Sequence, residues 1–176
     1  MRRLLSLFAC LVALGGSAAA GLSAHADVSD VDAAYCPATA VHGTGTWSPA
    51  ESPTTAPHTF IWTTDAQCTG SGDDSGAYHV QFDGSGVDNC VSGNGSGNLS
   101  GFGPEGAIAG TFTYRRIGIH LVISGDFFSG GEEHTLQYWL DVITSGDQQV
   151  CNYTNAGLVG HGVIADWTVG SPPPSI

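Results

Sequence analysis

Beyond residue 26 the chain carries six histidines: His42, His58, His79, His120, His134 and His161. An imidazole close to tyrosine hydroxyls or carboxylates is common equipment for proton transfer, and it also makes a polar anchor for a small ligand. The alternation of apolar and polar residues puts His134 and His161 on apolar faces, together with Tyr138 and Tyr114. These four are the candidate lining of a polar-tipped pocket. His42, His79 and His120 fall on the opposite, water-facing parity. Glu132, Glu133 and Asp141 lie near His134 in sequence but on other faces or turns, so no acid–base set assembles locally.

Named chemistries fail on spacing. Gly72-Asp73-Asp74-Ser75-Gly76 has one aspartate too many for the serine-protease nucleophile motif. Thr55-Ala56-Pro57-His58 lies too near it to leave room for two barrels. No G-x-S-x-G nucleophile elbow occurs. Neither C-x-x-C, H-x-H nor H-E-x-x-H occurs, so no metal and no cofactor is expected. A phosphate-cradling glycine loop would need a helix to follow it, and no helical periodicity is present. No catalytic residues are assigned.

Trp139 is the other chemical candidate. Parity places it outward between Gln137 and Asp141, and an indole flanked by an amide and a carboxylate suits a sugar ring. Trp139, Gln137 and Asp141 therefore make an alternative carbohydrate site.

What would position these residues is a set of strands. Period-two runs recur: Val41–Trp47, Thr59–Thr63, Tyr78–Phe82, Ile108–Tyr114, Ile119–Phe127, Leu136–Val142 and Val159–Trp167. Each reads as a strand with one buried and one wet face. An eighth candidate runs from Val91 to Gly101. Its odd positions are Val91, Gly93, Gly95, Gly97, Leu99 and Gly101; its even positions are serines and asparagines. A flexible linker need not alternate in this way, so the segment is expected to be a strand with glycines on its inner face. Such glycines make room for aromatic rings or for a ligand, and close packing favours rings. Eight strands with short turns predict one all-β antiparallel domain, a closed or partly closed barrel in preference to a two-sheet sandwich.

Cys36 precedes the Val41 strand by five residues and Cys68 follows Thr63 by five. A hairpin would bring them together, leaving Cys90 to pair with Cys151. Disulfides need an oxidising compartment, and the N-terminus supplies the route. Arg2 and Arg3, the apolar run Leu4–Leu14 and the small residues of Ala24-His25-Ala26 form a secretory leader cleaved after Ala26. The expected organisation is a signal peptide over 1–26, an acidic N-terminal segment over 27–40, a β-domain over 41–168 and a Pro-rich tail over 169–176. The short leader and the glycine-, serine- and alanine-rich, lysine-free chain have the composition of a secreted protein from a high-GC bacterium.

Cleavage leaves two arginines against sixteen acidic residues. That balance excludes nucleic acid and anionic membrane surfaces as partners, which both need basic patches. A small molecule or a carbohydrate remains as a partner class, and the sequence sets no oligomeric state. The expectation is a secreted β-domain, non-enzymatic, binding or structural, with a small ligand inside the barrel as its sharpest form. A small extracellular hydrolase or isomerase using inward histidine and tyrosine is the enzymatic alternative.

Overall fold

The computed structural model describes residues 32–144 and 151–166. The leader, its cleavage site, Trp167 and the Pro-rich tail lie outside the described residues. Eight antiparallel strands follow in order: β1 (Ala33–Glu51), β2 (Ala56–Gly70), β3 (Gly76–Asp88), β4 (Ser92–Gly103), β5 (Gly106–Ile117), β6 (His120–Ser129), β7 (Glu132–Ile143) and β8 (Tyr153–Asp166). Each pairs with the next, and β1 pairs with β8, so the meander closes into a barrel with no free edge. No helix among the described residues is long and apolar enough to cross a membrane.

An eight-stranded barrel is just wide enough for side chains to fill it. Here aromatic residues do so. Phe60 stacks on Trp62 with centroids 3.9 Å apart, Tyr114 meets both edge-on, and Phe82 packs edge-on against Phe112. Inner glycines accommodate the rings. A methyl group on Gly84 would lie 2.8 Å from the Phe60 ring, and one on Gly45 would lie 2.8 Å from the Trp62 ring. On Gly162 it would strike Tyr138, and on Gly95 it would strike Tyr114 and the Ser85 carbonyl. The space beside these glycines is filled by protein, not left for a ligand.

The glycine-rich segment is β4, with Gly93, Gly95, Gly97 and Leu99 turned inward as the alternation requires. The strand begins at Ser92, and Val91 stands exposed in the preceding turn.

Two local readings change. β1 starts at Ala33, ahead of Val41, and carries a bulge between Tyr35 and Val41 where Thr39 has φ 71°. The bulge resets parity, so Cys36 and Val41 both face the core. β8 has the opposite parity to that expected. Ala156, Leu158, Gly162 and Ile164 are inward, while Val159, His161 and Val163 are outward. Both parities of β8 carry aliphatic residues, so alternation alone does not choose. The Tyr138 ring, which needs Gly162 beneath it, decides.

Cys36 bonds to Cys68 at the open end of the β1–β2 hairpin, and Cys90 bonds to Cys151 across the other end of the barrel. The two bridges fit an extracellular protein.

Candidate functional site

Each inner face ends in polar residues that keep the parity of the apolar run before them. Following Phe60 and Trp62 back along β2 reaches His58. Extending Val80 and Phe82 along β3 reaches Asp88. Phe112 and Tyr114 lead to Arg116 on β5, and Trp47 leads to Glu51 on β1. These four strand ends meet at one mouth of the barrel, and all four residues are buried there.

Their geometry is tight. Arg116 donates from Nη1 to Glu51 Oε1 at 3.0 Å, from Nη2 to the Tyr153 hydroxyl at 2.6 Å and from Nε to the Gly118 carbonyl at 3.0 Å. Tyr114 donates to Asp88 Oδ2 at 2.6 Å, and His58 Nε2 lies 2.8 Å from Asp88 Oδ1. Burial raises the Glu51 pKa from 4.5 to about 7, and a proton shared with Asp88 adds to the rise against the opposing pull of Arg116. Burial lowers the His58 pKa, outweighing the attraction of Asp88. Burial likewise pushes the Tyr114 and Tyr153 hydroxyls up, so both stay protonated donors at ordinary pH.

Above this cluster opens a pocket of about 320 Å³. Arg116 and Tyr153 line its floor beside the Cys90–Cys151 bridge; Val91, Ile119, Val142 and Ile143 form its apolar wall. Val91, Ile119 and Ile143 are 45–66% exposed, which is unusual for aliphatic side chains grouped around one opening. Glu51, His58 and Asp88 do not line this pocket. Of the groups with shifted pKa values, only the Tyr153 hydroxyl borders it.

The four candidate ligand residues do not share a pocket. Tyr114 reaches into the cluster just described. Tyr138 is wholly buried in the packed interior, with burial pushing its hydroxyl pKa up. His134 is inward as expected but lies at the opposite mouth, stacked on Phe127 with centroids 5.0 Å apart. His161 is a correction: it points outward, because β8 has the reverse parity, and stacks on Trp139 at 5.2 Å and 10°.

The alternative carbohydrate residues do share one face. Gln137, Trp139 and Asp141 alternate along the outer side of β7, each half-buried. One face of the Trp139 ring is taken by His161, and the Asp141 carboxylate is paired with His120. Glu132 and Glu133 are exposed. The carboxylates around His134 come instead from distant parts of the chain. Asp74 Oδ1 and Asp166 Oδ1 stand 3.1 and 2.8 Å from Nδ1, and Glu105 Oε2 stands 3.0 Å from Nε2. Burial raises the Asp74 pKa from 3.8 to about 6, with the nearby charge of Asp166 adding to it.

Sequence reasoning missed Glu51, His58, Asp88, Arg116 and Asp166, although a signal was available for the first four. Continuing the inner-face parity of β1, β2, β3 and β5 past its last apolar residue reaches Glu51, His58, Asp88 and Arg116, whereas Asp166 shares the β8 parity that alternation alone does not choose. Asp74 and Glu105 sit in turns, where parity says nothing. No family model, no curated protein and no solved structure matches the chain.

Proposed function

We propose that the chain is a secreted, non-catalytic β-domain that binds a small molecule at the barrel mouth above Arg116. The observation that carries this reading is the pocket of about 320 Å³, with an aliphatic wall and a floor of Arg116 and Tyr153. An apolar enclosure with a few convergent polar groups is the usual make-up of a ligand site, and barrel mouths are a frequent place for one. Arg116 already faces Glu51, and Asp141 also lines the pocket, so the floor offers no spare positive charge. A neutral ligand with an apolar body and one hydroxyl or carbonyl head fits best.

The enzymatic alternative has less support, because Glu51 is sealed beneath Arg116 and the histidines and tyrosines first considered are scattered. The carbohydrate alternative offers an indole with one face already stacked. Secretion rests on the leader and agrees with the two disulfides.

Native mass spectrometry of protein secreted by its own host tests the binding claim. A retained small molecule, lost when Ile119→Asp and Ile143→Asp place charges on the pocket wall, is expected. Nile red, a neutral apolar dye, should also bind the purified protein and be weakened by the same changes. No added mass together with equal dye binding in wild type and variants would refute the reading.

A further inference from the structure

The opposite mouth of the barrel holds a cluster that plays no part in ligand binding as proposed above. Asp74 comes from the β2–β3 turn, His134 from the start of β7, Asp166 from the end of β8 and Glu105 from the β4–β5 turn. His134 Nε2 is hydrogen-bonded to the Ser129 carbonyl at 3.3 Å, with Glu105 Oε2 at 3.0 Å. A carbonyl only accepts, so Nε2 carries a proton. Nδ1 faces Asp166 Oδ1 at 2.8 Å and Asp74 Oδ1 at 3.1 Å, yet it forms an aligned hydrogen bond with neither. Asp74 Oδ2 has no partner either. The His134 and Asp74 side chains are each 2% exposed.

A ring nitrogen and two carboxylate oxygens buried this close repel one another unless positive charge lies between them. Apart from a proton on His134 itself, the described residues supply none. The chain contains no lysine, and its only arginines among the described residues are Arg115 and Arg116, at the far end of β5. The cluster at the other mouth has the same make-up of Glu51, His58 and Asp88, but there the Arg116 guanidinium provides the cation.

We propose that Asp74, His134 and Asp166 bind a divalent transition cation of the zinc class through one imidazole nitrogen and two carboxylate oxygens. All three donor atoms lie within 4.8 Å of one another. A tetrahedral ion with bonds of about 2.0–2.2 Å puts neighbouring donors about 3.3–3.6 Å apart, so the His134–carboxylate spacings of 3.1 and 2.8 Å need open by only a few tenths of an ångström. The imidazole favours zinc over calcium or manganese, which prefer oxygen ligands. The Ser129 carbonyl accepts from the far side of the ring, the arrangement that orients metal-bound histidines. Asp166, 28% exposed, leaves the ion a path from solvent. Bound there, it ties the β2–β3 turn to β7 and β8 where the first and last strands meet.

Calorimetric titration of chelator-stripped mature protein with zinc, manganese or calcium chloride tests this. One zinc per chain is expected, bound at least tenfold more tightly than calcium. At about 100 times Kd it should raise Tm by roughly 5–10 °C. D74N and D166N should each weaken zinc at least tenfold, whereas H79A, which breaks the surface His79–Asp65 pair, should not. Nitrogen NMR of the wild-type histidines needs no variant: zinc should move His134 Nδ1 and leave His79 and His120 in place. Absence of saturable one-to-one zinc binding, tighter binding of calcium, full binding by D74N and D166N, or an unmoved His134 Nδ1 would each overturn the proposal.

Discussion

Glu51 is a carboxylic acid whose neighbours disagree about its charge. Arg116 favours the ionised form; burial and Asp88 favour the protonated one and prevail, placing its pKa at about 7. The folded state therefore holds a proton that the unfolded state, near 4.5, releases. The stability that this group contributes is full below pH 4.5 and is lost as pH rises through about 7. His58 works the other way: its lowered pKa favours the folded state above 6.5, and that advantage is lost as pH falls. In the presence of a chelator, melting is expected at higher temperature at pH 5 than at pH 8, with E51Q flattening the fall. Scanning calorimetry across that range checks it, and equal slopes in E51Q and wild type would contradict the assignment. Arg116→Met leaves buried carboxylates without their cation, a loss of about 3–5 kcal/mol for a broken buried pair. Because Glu51 takes up a proton at low pH, that loss should be smaller at pH 5 than at pH 8 in parallel denaturant titrations.

Among the elements, β4 is the most unusual, because its inner face is mostly glycine. Val at Gly95 would press on the Tyr114 ring and on the Gly86 backbone. Overpacking of this kind costs about 1–3 kcal/mol. Ser96 faces water, so Ser96→Thr should be nearly neutral. Thermal melts of G95V and S96T distinguish the two, and equal shifts would be incompatible with a packed inner face. The β1–β2 hairpin is closed by Cys36–Cys68, 32 residues apart in sequence. On the chain-entropy model, replacing both cysteines with alanine should cost about 4 kcal/mol. Urea titration of that double variant measures the cost, and non-reducing peptide mapping verifies the partners.

For the whole molecule, closure is the central fact. A meander whose first and last strands pair has no free edge, and its filled interior leaves only the two mouths and the outer surface for function. The mouths differ in how they balance buried carboxylates. One uses Arg116 and carries the pocket; the other has, among the described residues, no basic side chain besides His134. Secretion should leave Asp27 as the first residue, which N-terminal sequencing of the exported protein checks. A start well downstream, or a retained leader, would remove the basis for an extracellular reading.

Strand number, antiparallel order, the inner face of β4 and both disulfide partners were legible in the sequence. Period-two alternation and symmetric cysteine spacing are local consequences of a strand having two faces. The parity of β8 was not legible, because Leu158 and Ile164 compete with Val159 and Val163 for the inside. The Tyr138 ring on the neighbouring strand β7, resting on its pairing partner Gly162, settles which set turns in. The candidate sites were decided the same way. His134 was recognisable as an inward histidine, but Asp74, Glu105 and Asp166 are 60, 29 and 32 residues away from it. Glu51, Asp88 and Arg116 come from three different strands. Barrel closure brings strand ends together whatever their separation along the chain, so charges that look unrelated in sequence become neighbours at a mouth.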